Sequence, residues 1–361
     1  MAIQTSDMTD VVNSVVSRYE KSFLTDAVTS LRDYVAVRKL WDKKRQVEDS
    51  RGGDQYKWPL LYKKDDNTRA VGYFDVDNVD QVDGTVWASV PWRFITTGAT
   101  YDVKQDAVNS GGEKLFDFIK AKETQMWVDW NDNLEDFFWG GPSSSSDTLT
   151  PYGLLKYWLA YSASTGFNGG NHGNFSDGPG GIDCTATDYA KHKHYTAQYT
   201  NVSDEDAVAL LIKAIKSTRF RGIPSKPQNM MTSEDIDRYD SVAIYTVMDN
   251  TLALAALARN KDDSIGSNLG KYDNEVTVLR VPVLECPWLT ENRDTSDPFV
   301  GIDWDCVKVV HPKGQFFRRT PYHVAPQQHD SRVTHIDASR QIALTNRRRF
   351  FLVAKADPTS S

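Results

Sequence analysis

The sequence predicts an α+β chain whose strands and helices fall in separate blocks. Three observations predict it. Residues 51–95 hold two stretches with apolar side chains at every second position, the signature of strands. Residues 113–138 carry a stripe of apolar side chains at helical spacing. Residues 242–284 read as strand, helix and strand in succession, the core of an α/β domain over about 150–330.

The opening segment has little core of its own. Thr9 and Asp10 are caps for a first helix, with Val11, Val12, Val15, Val16 and Tyr19 on one stripe. A second short helix follows Thr25 or Asp26, with Val28, Leu31 and Val35 on one side. Helices this short are marginal in isolation and need a surface to dock on.

The next segment reads as a two-stranded ribbon. Tyr56, Trp58, Leu60 and Tyr62 share one face of the first strand, and Val86, Val90, Trp92 and Phe94 share one face of the second. Pro59 and Pro91 exclude both strands from the middle of a sheet. The connection from Lys64 to Gly84 is rich in Asp and too long for a tight turn. An isolated two-stranded ribbon is marginal in water, so the expectation is that a neighbouring molecule covers it.

Gly111 and Gly112 then open the clearest helix, from about Glu113 to Phe138. It spans roughly 39 Å at 1.5 Å per residue. Leu115, Ile119, Trp127, Trp130, Leu134 and Phe138 form its stripe, and Gly140-Gly141-Pro142 ends it. A Ser-rich linker follows, and a Gly- and Asn-rich loop covers 166–181. A helix runs from a cap at Ser203 to about Lys216, with Val208, Leu211, Ile212 and Ile215 inward. Strands are expected at Val242–Val247 and Val276–Leu284, with a helix from about Asn250 to Arg259 between them. Cys306–Val310 and the flanks of Phe316–Phe317 add extended segments, and Phe350–Val353 is an apolar closing strand.

Composition narrows the function. The formal net charge of −7 lacks the basic face of a sequence-specific nucleic-acid binder. The basic runs Arg38–Lys39, Lys43–Arg45 and Arg347–Arg349 suit solvated faces, ion pairs between subunits, or phosphate contacts that read no sequence. The 10 Trp and 16 Tyr supply the rigid amphipathic area that interfaces favour. Cys184, Cys286 and Cys306 are few and widely spaced, which fits free thiols in a reducing compartment. No signal-peptide pattern and no apolar run of membrane-spanning length is present, so a soluble chain with no membrane partner is expected.

No catalytic constellation emerges. His192 and His194 form an HxH pair near Cys184, but no further ligand follows at a zinc spacing and lysines flank both histidines. His329 and His335 fare no better. Gly178-Pro-Gly-Gly181 lacks the ending of a phosphate loop, and no GxSxG elbow occurs. The Asp-rich connection has no rigid element to position an acid–base pair. The expectation is a non-enzyme with no cofactor and no metal site. A metal-dependent hydrolase using His192, His194 and Cys184 is the enzyme alternative.

In this order, arm, ribbon, long helix, α/β middle and closing strand resemble the major capsid proteins of tailed bacteriophages, whose fold is the HK-ninety-seven-like fold. Local strings carry the same likeness. They are Val90-Pro-Trp-Arg93, Phe138-Trp-Gly-Gly-Pro142, Thr150-Pro-Tyr-Gly153, Gly166-Phe-Asn-Gly-Gly-Asn171, Tyr195-Thr-Ala-Gln-Tyr-Thr-Asn-Val202, Gly301-Ile-Asp-Trp304 and Asn346-Arg-Arg-Arg-Phe-Phe351.

The resemblance implies an N-terminal arm over 1–50, an extended E-loop over 51–97, a peripheral domain over 98–142 and 331–361 with a long spine helix, and an axial domain over 143–330. It implies an icosahedral head built from hexamers and pentamers of this chain around double-stranded DNA, contacted without sequence preference. It also implies assembly in the bacterial host cytoplasm with a scaffolding protein and a portal, with room for a decoration protein. Only about fifty residues precede the ribbon and no long heptad run occurs, so the scaffold is expected as a separate protein. Lys57, Lys63 and Lys64 sit in no motif that marks a cross-linking lysine, and that activity is not carried over. Tyr56, Trp58, Trp87, Trp92 and Arg93 are the expected assembly anchors, since Trp, Tyr and Arg dominate binding hot spots. The same fold would also serve an encapsulin-like compartment that holds cargo protein instead of DNA.

Overall fold

The structure, a computed structural model, describes residues 34–50, 52–63, 69–73, 83–104, 118–219, 241–260, 269–272, 275–293, 295–326 and 328–358. The helices expected near Val11–Tyr19 and after Thr25, most of the Asp-rich connection and the first residues of the long helix lie outside these.

The chain begins with a short helix, α1 (Val35–Leu40). Its first N–H groups lack intrahelical acceptors, and a carboxylate from far along the chain supplies them. Glu135 accepts from Ala36 N at 3.0 Å and from Val37 N at 3.0 Å. β1 (Gln46–Asp49) follows, then the ribbon strands β2 (Gln55–Leu61) and β3 (Thr85–Pro91), then β4 (Arg93–Asp102). The second ribbon strand therefore stops at Pro91, and Phe94 lies in a different strand in a different sheet. Pro91 has no N–H to donate, so the change of sheet falls where pairing is already interrupted.

The long helix α2 is described over Phe118–Trp139. Met126, Trp130, Leu134 and Phe138 recur every four residues and are all buried. Gly141 (φ +77) ends the helix in a left-handed conformation, and a Cβ there would stand 2.3 Å from Gly153 N. Next come β5 (Gly166–Gly169), β6 (His194–Gln198) and α3 (Ala209–Thr218), preceded by one wide π turn over Asp204–Val208.

β7 (Val242–Thr246) is buried throughout, and α4 (Met248–Asn260) leads on to β8 (Leu269–Tyr272), β9 (Glu275–Val278) and β10 (Val281–Glu285). The single strand expected over Val276–Leu284 is thus two. Leu279 (φ +49) and Arg280 (φ +66) form the turn between them. Two successive left-handed residues match the twist of a tight hairpin, but they are normally Asn and Gly, so no turn signal was visible in the sequence.

The remaining elements are α5 (Pro287–Arg293), β11 (Phe299–Asp303), β12 (Val307–Pro312), β13 (Arg318–Arg319), β14 (His323–Ala325), β15 (Gln328–Leu344) and β16 (Phe351–Ala354).

Two large sheets organise these strands. The eight-stranded sheet runs β5-β6-β16-β11-β7-β10-β9-β8. β10 pairs with β7 in parallel, as strand–helix–strand connection through α4 requires, and β16 pairs with β6 in parallel. The six-stranded sheet is built on β15, which pairs with β12 at one end and with β4 over ten residue pairs from Ser331 to Arg340. β15 spans roughly 56 Å at about 3.3 Å per residue. α2 packs on this sheet through Met126, Trp130 and Leu134 against Ile95, Ala99, Ile336 and Ala338.

Each sheet draws strands from both sides of the expected domain limits. Residues 351–354 belong to the eight-stranded sheet, although 331–361 was expected to be peripheral. Phe351, Leu352, Val353 and Ala354 are all buried, so this strand has no polar face to show water and takes an interior place. Conversely, β12, β13 and β14 join the β15 sheet, although 143–330 was expected to be axial.

Candidate assembly interface

The ribbon is where the expected anchors lie. β2 and β3 pair with Tyr56 opposite Val90, Trp58 opposite Ala88, Pro59 opposite Trp87 and Leu60 opposite Val86. Side chains alternate across a strand, so this register places Tyr56, Trp58, Leu60, Val86, Ala88 and Val90 on one face. Pro59, Leu61 and Trp87 fall on the other.

The first face docks on the chain's own body. Trp58 is 7% exposed and lies 6.4 Å, centroid to centroid, from Trp158. Ala88 and Val90 are fully buried in the same cluster. Gly180 (φ +71) meets the ribbon without a side chain: its Cβ would stand 3.4 Å from Ala88, and its carbonyl accepts from Ser89 N at 2.9 Å. Near the tip, Tyr62 packs edge-on to Tyr189 at 4.8 Å. Within a single chain this face is therefore already covered. A row of aromatics in a ribbon demands a partner surface, and the loops at Trp158 and Gly180 provide one within the chain.

The five expected anchors separate accordingly. Trp58 is a core residue. Tyr56 stacks on Trp58 at 5.6 Å and is half-buried. Trp92 sits at the ribbon's base, where its Nε1 donates to Gly53 O at 3.0 Å. Arg93 lies 5.4 Å over the Tyr152 ring, half-buried at the entry to β4. Trp87 alone is well exposed, at 60%, beside Pro59 across the strand and with Leu61 (78%) further along the same face. The outer face thus carries an apolar strip that no described residue of the chain covers. Lys57 and Ser89 share this outer face, so it is polar at one end.

A second group of predicted residues does come together. Cys184, His192 and His194 converge on Arg347, which is 1% exposed. Its guanidinium donates to Trp158 O (2.7 and 3.0 Å), Gly170 O (3.0 Å) and His192 O (3.0 Å), and also to Cys184 Sγ (3.3 Å) and His194 Nδ1 (3.2 Å). A cation already occupies the place a metal ion would need, and among the described residues no three His, Cys, Asp or Glu side chains are arranged to hold one. Burial, with Arg347 adding, pushes the His192 imidazole down to about 3 and holds His194 well below its ordinary value. Burial also raises the Cys184 thiol, which disfavours a thiolate ligand. This cluster ties β6 and the loop at Gly170 to the segment before β16. Sequence reasoning read Arg347 with its neighbours as a solvated face, an ion pair between subunits or a phosphate contact, and missed its buried role. Glu135, which caps α1 and accepts from Trp139 Nε1 at 2.7 Å, was missed in the same way.

Among the described residues no helix is long and apolar enough to cross a membrane.

No family model matches the sequence, and no curated protein matches it. Solved structures match it closely in shape. The capsid of cyanophage A-1(L) is 10% identical, covers 94% of this chain and 97% of its own, and superposes with a TM-score of 0.59. The capsid of a native GTA particle is 10% identical, with 99% of each chain covered and a TM-score of 0.55. The holo-SrpI encapsulin of Synechococcus elongatus PCC 7942 is 9% identical, covers 100% of this chain and 98% of its own, and gives a TM-score of 0.51. The chain has the HK-ninety-seven-like fold of tailed-phage major capsid proteins, and the likeness runs over nearly its whole length.

Proposed function

We propose that this chain is the structural subunit of an icosahedral phage head. It assembles into hexamers and pentamers that enclose double-stranded DNA, in the cytoplasm of a bacterial host and then in the virion. One observation carries the reading: the fold of shell-forming proteins extends over nearly all of this chain. The outer face of the ribbon agrees with it. Trp87, Pro59 and Leu61 form an exposed apolar strip on the ribbon's outer face, which a second copy would bury. The role is structural, not enzymatic. A separate scaffolding protein and a portal complete the assembly, and the exterior leaves room for a decoration protein.

Electron microscopy of the purified protein expressed with its scaffold tests this. Angular icosahedral particles that protect nucleic acid from nuclease are expected. A chain that stays monomeric at high concentration overturns the reading. Uniform closed shells from the chain alone would remove the separate scaffold. The encapsulin likeness favours a second reading, a compartment holding protein cargo. Particles that contain protein cargo and no nucleic acid would select it.

A further inference from the structure

The basic run Arg347-Arg348-Arg349 does not act as one patch. Arg347 is buried in the core, and Arg349 pairs with Asp303 at 3.0 Å. Arg348 lies 4.2 Å over the Phe167 ring and lines an open cleft of about 860 Å³. Lys216 and Arg219, at the C-terminal end of α3, line the same cleft, together with Leu279 of the β9–β10 turn. Among the described residues no carboxylate lines it, and Arg349, which also lines it, is already paired with Asp303. Lys216, Arg219 and Arg348 form no ion pair among the described residues.

Backbone strain gathers at the same place. Arg219 (φ +55) and Leu279 (φ +49) line the cleft, and Arg280 (φ +66) follows in the turn. Left-handed conformations in bulky residues cost free energy and persist where the surrounding structure or a function demands them.

We propose that this cleft binds the phosphodiester backbone of nucleic acid without reading its sequence. Guanidinium groups match phosphate oxygens in a two-point fork, and an aromatic ring beneath Arg348 limits its rotamers. The cleft is far larger than one phosphate group, and its cations come from two separate segments, which suits a chain of phosphates. The net charge of −7 gives no long-range attraction, so the contact is local and sensitive to salt. The inference rests on the shell reading only for the presence of nucleic acid. Its test uses dispersed subunits, so it fails or succeeds independently of particle formation.

The test is fluorescence anisotropy of a labelled mixed-sequence 15-base-pair duplex with the full chain across a salt series. Three unpaired cations predict a slope of about −3 in log affinity against log salt. Lys216→Gln/Arg219→Gln/Arg348→Gln should weaken binding by about tenfold or more at low salt and flatten the slope. The distant Lys43→Gln/Lys44→Gln/Lys313→Gln, with the same charge change, should leave binding within about twofold. Circular dichroism checks both folds. If the cleft variant does not fold, Arg348→Gln alone decides, with the slope shallower by about one. Unchanged binding in the cleft variants, equal loss in the distant variant, or no duplex binding by the parent chain would overturn the proposal. So would a polyglutamate peptide that displaces the duplex as well as unlabelled duplex does, since it would assign the cleft to an acidic protein segment.

Discussion

Trp58 lies against Trp158, with ring centroids 6.4 Å apart, and joins the ribbon to the body of its own chain. Its neighbour across the strand pair, one residue out of step, is Trp87, which points the other way and is 60% exposed. Two tryptophans in one ribbon therefore do different work.

That difference is measurable. Trp58→Ala removes a buried indole from a packed cluster and should destabilise the folded subunit by about 3–5 kcal/mol. Trp87→Ala should leave stability within about 0.5 kcal/mol, as surface changes do. It should instead lower the yield of intact particles. Urea unfolding and particle counts by electron microscopy check the two. Normal particle yields from Trp87→Ala would remove that side chain from the interface.

Arg347 should tolerate no replacement. Its guanidinium supplies donors to the carbonyls of Trp158, Gly170 and His192 at once. Arg347→Met leaves those buried acceptors unmatched, at about 1–3 kcal/mol each. Arg347→Lys restores the charge but not the fork, and should rescue less than half of the loss. Equilibrium unfolding of the two variants compares them.

Acid should loosen the same junction. His192 is held down to about 3 by burial and by Arg347, while the unfolded chain takes up a proton near 6.5. The unfolded state therefore binds more protons below 6.5, and the stability present above that value is lost as pH falls toward 3. At pH 5 the loss from this group alone is about 2 kcal/mol. His194, also lowered, acts in the same direction. Urea midpoints from pH 8 to pH 5 should fall, and His192→Gln should flatten the fall. A parent midpoint that holds steady over this range would contradict the assignment.

The β9–β10 turn should accept ordinary turn chemistry. Leu279→Asn/Arg280→Gly relieves two left-handed bulky residues and should raise stability by about 1–2 kcal/mol. Thermal melts read the gain.

Much of the architecture was legible because periodicity is a local property. Leu211 and Ile215 on α3, and Trp130, Leu134 and Phe138 on α2, face the cores that their spacing foretold. The β7–α4–β10 unit was legible because an apolar run, a helix and a second apolar run leave few alternatives. The hairpin at Leu279 was not, because its turn carries residues that normally avoid that conformation. The ribbon's docking was half legible. Alternation shows that a strand has two faces, but both faces here carry tryptophan, and only the register with Gly180 and Trp158 decides which is inside. Arg347 and Glu135 were illegible for a shared reason: a buried charge is defined by backbone groups that gather from distant segments, and no local pattern announces them.

The join between ribbon and sheet has a mechanical consequence. A neighbour that pulls on the ribbon transmits force through Trp92 to Arg93, the first residue of β4. That strand is bonded to β15 over ten residue pairs. Tension along such a strand loads its rungs side by side, as a lap joint does, so they yield together and not one after another. The ribbon is therefore anchored in the arrangement that best resists being drawn out.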